Sequence, residues 1–198
     1  MKKFMCLFMT FLFSAALMAE QSMLDRLIVE ISGKSYSQKQ LEVYVLLRTI
    51  AMGEGVKRGL PSAETWAEHV ENFKNDMIVY TQLENDQQKL DSFVPDFKNV
   101  ATAEKALVSA QAKDPALDAF IRQRQLTEAE ISRILTILFR VEAYTKNRLQ
   151  LSALKTNEES SFISIDPKTD WFVALSKATS YRYYAHAKDY KTLTPFRS

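Results

Sequence analysis

The stretch from Leu126 to Leu154 constrains the fold most, because its pattern predicts one long helix that is apolar around most of its circumference. Thr127 is a typical N-cap residue, and Glu130 completes a capping box with it. At about 100° per residue the apolar side chains cover roughly 220° of the helix. They are Ile131, Ile134, Leu135, Ile137, Leu138, Phe139, Val141, Tyr144 and Leu149. A surface helix needs a narrower stripe, so we expect a central helix surrounded by others.

The segments before this helix predict a small hairpin followed by more helices. Leu24–Ile31 alternates like a strand, Ser32–Lys34 forms a tight turn, and Ser35–Tyr36 is a short return strand. Ser37 then caps a helix that runs from Gln38 to about Met52. Further helices are expected over residues 61–90 and 102–112, and after the Asp-Pro start signal at 114–115.

Beyond Leu154 the composition becomes polar, so residues 155–169 predict a linker after a helical domain that covers residues 20–154. Residues 170–198 begin with an amphipathic helix that carries Trp171 and Phe172. Tyr181 and Tyr183 alternate in the tail, which favours a strand that pairs back onto the N-terminal hairpin. The expected fold class is therefore mainly α with a minor β part.

Residues 1–19 have the pattern of a secretory signal peptide. Lys2 and Lys3 precede an apolar run from Phe4 to Met18, which ends in small residues and is short for a membrane span. An uncleaved anchor is the alternative. Cys6, the only cysteine, lies inside this segment, so we expect a periplasmic protein without thiol, disulfide or thiolate metal site.

Charge and motifs exclude several classes of function. Without Lys2 and Lys3 the chain has 24 basic residues, equal to its 24 acidic ones, which does not favour nucleic acid or an anionic membrane as a partner. The two histidines, His69 and His186, have no metal-ligand spacing. The sequence contains no P-loop, dinucleotide fingerprint or nucleophile elbow, so we expect neither an enzyme nor a cofactor.

Three stretches follow one another in an order that is typical of a known family. LDRLIVEISGKSYSQKQLEVYVLL has an Asp-Arg pair before a strand, a Ser-Gly turn and the cap Ser37. DPALDAFIRQRQLTEAEISRILTILFRVEAYTKNRL has a short helix and then a long one, with matching residues Leu126, Thr127, Glu130, Arg140 and Tyr144. With DWFVALSKATSYRYY near the C-terminus, they cover most of Met23–Tyr184. This arrangement resembles the chaperone part of SurA-type periplasmic chaperones.

The resemblance implies a helical domain that holds unfolded exported or outer-membrane polypeptides without ATP. Such chaperones usually carry parvulin-type prolyl isomerase domains before the C-terminal element. Here only residues 155–169 fill that place, and they contain none of the histidines that a parvulin site uses. Isomerase activity is therefore not carried over. The alternative function is an envelope adaptor or structural protein with one dedicated partner.

Client-binding residues are expected on the first helix, which is apolar on two sides. Leu41, Tyr44 and Val45 form one stripe, and a single core covers only one stripe fully. The other stripe is predicted to face a client groove, unless the C-terminal segment or another chain covers it, and consists of Val43, Leu46, Leu47 and Ile50. Tyr181 and Tyr183 are further candidates for client contact, although tyrosines are equally good strand residues.

Two single substitutions test the central-helix assignment. We expect Leu138→Ala to cost roughly 2–5 kcal/mol of unfolding free energy, as for a large-to-small change in a core. Thr127→Ala removes only a cap and should cost about 1 kcal/mol. Chemical denaturation of both variants measures these losses, and a greater loss for Thr127→Ala would contradict the assignment.

Overall fold

The computed structural model describes residues 25–56, 61–151 and 162–184. The predicted signal peptide, residues 155–161 of the predicted linker, His186 and the tail beyond Tyr184 lie outside the described residues. Within the described part, seven helices and one three-stranded antiparallel sheet confirm the mainly α fold with a minor β part.

The strands are β1 (Leu27–Ile31), β2 (Lys34–Ser37) and β3 (Tyr181–Tyr183). The helices are α1 (Gln38–Ala51), α2 (Ala63–Glu84), α3 (Gln87–Ser92), α4 (Phe97–Lys113), α5 (Pro115–Gln123), α6 (Glu128–Leu151) and α7 (Asp170–Ala178). No helix among the described residues is both long and apolar enough to cross a membrane.

The sheet has the order β2-β1-β3, so the predicted pairing of the tail with the hairpin is confirmed. Ser32 and Gly33 make the turn with φ values of 49° and 80°, the left-handed pair that a tight two-residue hairpin requires. On the other edge of β1, Val29 lies opposite Tyr183 and Ile31 opposite Tyr181. The N-terminal and C-terminal ends of the described chain therefore meet in one sheet.

Two element boundaries and the alternation of one strand differ from the predictions. An irregularity between Leu27 and Val29 shifts the register of β1 and breaks the predicted alternation, so Leu27 is 39% exposed while Val29 and Ile31 are buried. The helix predicted to reach residue 90 ends at Glu84, because Asp86 caps a new helix by accepting a bond from the Lys89 N–H at 3.2 Å. Asp96 caps α4, which therefore begins five residues before the predicted start.

The central helix is α6, and its predicted capping box is confirmed. The Glu130 N–H donates to Thr127 Oγ1 at 3.2 Å, and the Thr127 N–H donates to Glu130 Oε2 at 3.0 Å. Helices α1, α2 and α4 pack against α6. Most of its predicted apolar face is buried, while Ile134 and Leu149 are half-buried.

The C-terminal segment is fixed to the helical domain before it reaches the sheet. Ile165 and Phe172 are buried, and the Trp171 ring meets the Tyr144 ring edge-on at 5.9 Å between centroids. The Arg48 Nη2 group donates to Ser164 Oγ at 2.6 Å. The described half of the predicted linker therefore packs on the domain, close to α1 and α6.

Two buried tyrosines make the unfolding free energy of the protein fall at alkaline pH. Burial raises the pKa of Tyr36 to about 12, and it raises the pKa of Tyr44 as well. Above pH ~10 the unfolded chain loses these protons while the folded chain keeps them, so unfolding free energy falls as pH rises. For Tyr36 the loss extends from pH ~10 to about 12.

We therefore expect Tyr36→Phe to make the loss of unfolding free energy above pH ~10 less steep, by up to 1.4 kcal/mol per pH unit. Urea titrations at a series of alkaline pH values measure this slope. Titrations at neutral pH give the variant's baseline stability and separate it from the pH effect. Equal alkaline slopes for parent and variant would show that Tyr36 does not contribute.

Candidate binding cleft between α1 and α6

The first wall of the cleft is the beginning of α1. The Gln40 N–H donates to Ser37 Oγ at 3.3 Å, and the Ser37 N–H donates to Gln40 Oε1 at 2.8 Å, which completes the predicted capping box. Asp25 reaches the same turn from the chain before β1, and its Oδ1 accepts from the Lys39 N–H at 3.0 Å. These bonds fix the first turn of the helix and the residues around it.

The second wall is the beginning of α6. Gln125 has a φ of 51°, a left-handed conformation that turns the chain sharply between α5 and α6. The Leu126 N–H then donates to the Ile121 carbonyl at 3.1 Å, which holds Leu126 beside the capped turn of Thr127 and Glu130. Both walls are therefore helix starts whose first turns are held in place by capping and turn residues.

Between the two walls lies a cleft of about 360 Å³. Its lining residues come from three segments and are Asp25, Ser37, Lys39, Gln40, Val43, Leu126, Glu130, Arg133 and Ile134. The apolar part is formed by the half-buried Leu126 and Ile134 together with the buried Val43. Charged side chains of both signs complete the lining.

The two carboxylates of the cleft are engaged by the protein itself. Hydrogen bonds from the Thr127 N–H and hydroxyl lower the pKa of Glu130, and the positive charges of Lys39 and Arg133 lower it further. Asp25 holds the Lys39 N–H. By contrast, in the described part of the chain neither the Lys39 ammonium nor the Arg133 guanidinium forms a salt bridge or a side-chain hydrogen bond.

The prediction that the first helix exposes an apolar face as a client groove is wrong. Its four residues are nearly inaccessible, with exposed fractions of 1% for Val43, 3% for Leu46, 0% for Leu47 and 7% for Ile50. The physical reason is that α1 packs against α2, α4 and α6 at once, so neighbours cover both apolar stripes. Of the four residues, Val43 alone lines the cleft.

The two candidate tyrosines lie elsewhere, on β3. Tyr181 is 42% exposed, with the Lys74 ammonium 4.9 Å from its ring centre. The Tyr183 hydroxyl donates to Glu71 Oε1 at 2.5 Å. Neither tyrosine lines the cleft, so the predicted site residues do not form one site.

A second apolar surface lies on the outer side of α4. Phe97 is 63% exposed and Val108 is 64% exposed. They are three turns apart on the helix, and at about 100° per residue they point in nearly the same direction. The sequence prediction missed this face, because it placed the start of the helix after Phe97.

Sequence reasoning also missed Lys39, Arg133 and Ile134 as residues of a site. The sequence does show that each of them lies close to a capping box, Lys39 in the first turn of α1 and Arg133 and Ile134 in the second turn of α6. That signal places them on two helices but does not show that the two helix starts lie together.

The described residues contain no group of three histidine, cysteine, aspartate or glutamate side chains that could hold a metal ion. His69 lies half-buried on α2, away from the lining of the cleft. The chain matches no protein-family model, no curated protein and no solved structure.

Because both apolar stripes of α1 are buried, the outcome of a triple substitution on this helix can be predicted. Replacing Val43, Leu46 and Ile50 by serine should reduce the unfolding free energy by several kcal/mol, because it leaves cavities and unpaired hydroxyls in the core. The matched control replaces the exposed Phe97 and Val108 by serine and should leave stability almost unchanged. A triple variant with the parent's denaturation midpoint would restore the exposed-groove hypothesis.

Proposed function

We propose that this protein is an ATP-independent chaperone of the holdase type, which binds extended segments of unfolded exported or outer-membrane polypeptides. The observation that carries the proposal is the cleft between α1 and α6, whose lining combines the apolar Val43, Leu126 and Ile134 with charged side chains of both signs. Such a lining accepts an apolar side chain while the backbone of the client stays near water.

The size of the cleft supports a segment rather than a folded surface as its occupant. A volume of about 360 Å³ is at the small end of the range for ligand pockets, which is roughly 300–1,000 Å³. It has room for one or two client side chains at a time. Weak contact with one short segment suits a holdase, since its clients differ in sequence and must be released.

Sequence features support the cellular setting of this proposal. The pattern of residues 1–19 favours export, and the only cysteine lies within it, which supports a periplasmic location for the proposed chaperone. The resemblance of three stretches to SurA-type chaperones points to the same function. Residues 155–169 are too few for a parvulin domain, so prolyl isomerisation is not part of the proposal.

One observation favours a second function, an envelope adaptor with a single dedicated partner. The outer face of α4 presents the exposed Phe97 and Val108 on one side of a regular helix, which suits contact with a partner helix. The two functions therefore use different surfaces and can be separated by substitution.

A matched pair of variants tests the proposal. Ile134→Gln replaces an apolar lining residue of the cleft by a polar one, and Val108→Gln makes the same kind of change on the outer face of α4. We expect the parent protein and Val108→Gln to suppress aggregation of several unrelated unfolded proteins, and Ile134→Gln to lose most of this effect. Light scattering measures aggregation, and circular-dichroism melting checks that each variant is folded.

Two outcomes would count against the chaperone function. If the folded parent protein suppresses no aggregation, the proposal fails. If Val108→Gln loses suppression while Ile134→Gln keeps it, the outer face of α4 is the binding surface, and the cleft is not.

A further inference from the structure

We propose that the cleft selects client segments in which an apolar side chain is flanked by acidic residues. This inference rests on the proposed function and adds a chemical class of client to it. Some charged groups of the cleft are already hydrogen-bonded within the protein, and others are still available to a client.

The acidic groups of the cleft are the engaged ones. Asp25 Oδ1 accepts from the Lys39 N–H at 3.0 Å, and Glu130 Oε2 accepts from the Thr127 N–H and hydroxyl, both at 3.0 Å. These bonds satisfy backbone donors at the first turns of two helices, which have no partner within the helix. A client lysine that drew either carboxylate away would leave such a donor unpaired.

The basic groups are the available ones. Lys39 and Arg133 line the cleft, and within the described residues neither side chain forms a salt bridge or a hydrogen bond. Arg133 is exposed and Lys39 is half-buried, so both can turn toward a bound segment at little cost in desolvation. The guanidinium can also hold a client carboxylate through two parallel hydrogen bonds.

Charge complementarity therefore discriminates between client segments. An acidic residue beside the inserted apolar side chain meets two carboxylates that are held toward backbone N–H donors, and it gains two cationic partners without breaking a hydrogen bond of the protein. A basic residue in the same place meets carboxylates that are already bonded and two like charges. Complementary charge at the edge of an interface contributes more to selection between partners than to total affinity.

Three fluorescent peptides test the inference. They share one phenylalanine at the centre and differ in the residues on both sides of it, which are glutamate, glutamine or lysine. We expect fluorescence anisotropy at low ionic strength to show the glutamate peptide binding about five- to tenfold more tightly than the glutamine peptide, and the lysine peptide binding most weakly. The preference should shrink at high salt, because these charges lie near the surface.

Substitutions then test whether Lys39 and Arg133 cause the preference for the glutamate peptide. The double variant Lys39→Gln with Arg133→Gln should bring the affinity ratio of the glutamate and glutamine peptides close to one. Lys105→Gln, an exposed change on α4, is the matched control and should keep the ratio of the parent protein.

The outcomes separate the inference from the function on which it rests. Equal binding of all three peptides would overturn the acidic preference and leave the chaperone function standing. A preference that survives the double variant would also overturn the assignment to Lys39 and Arg133. If the folded protein binds none of the peptides and suppresses no aggregation, the inference and the proposed function fail together.

Discussion

The buried ion pair between Arg48 and Asp76 joins parts of the chain that are otherwise distant in sequence. Arg48 Nη1 lies 2.6 Å from Asp76 Oδ2, and the two side chains are only 8% and 4% exposed. Tyr44 bonds to both groups, and Arg48 Nη2 donates to Ser164 Oγ. Burying charge is costly unless every group is satisfied, so the pair favours one arrangement of α1, α2 and the C-terminal segment. The packing that covers both sides of α1 is consistent with this arrangement.

Much of the fold could be predicted, because its signals are local. The capping boxes at Ser37 and Thr127 mark two helix starts, and alternation at Tyr181 and Tyr183 indicates the last strand. The break at Asp86 was missed, because an aspartate within an apolar pattern is compatible with a continuous helix until its cap is seen.

The candidate site was much less predictable, because it depends on packing between distant elements. Sequence periodicity shows that α1 is apolar on two sides, but it does not count the helices that cover it. Val43 and Ile50 were therefore assigned to a groove and are core residues instead. Lys39 and Arg133 come together only because the starts of α1 and α6 are neighbours in the fold.

The order of the sheet has a consequence for how the chain is made. Strand β1 is central, and its second partner, β3, comes from the far end of the described chain, with Arg182 bonding to Glu30 across 152 positions. During synthesis, and during any passage through a membrane, β1 therefore has one unpaired edge until residue 183 has emerged. Native closure of the sheet is thus a late event, and premature pairing of that edge with another nascent chain competes with it.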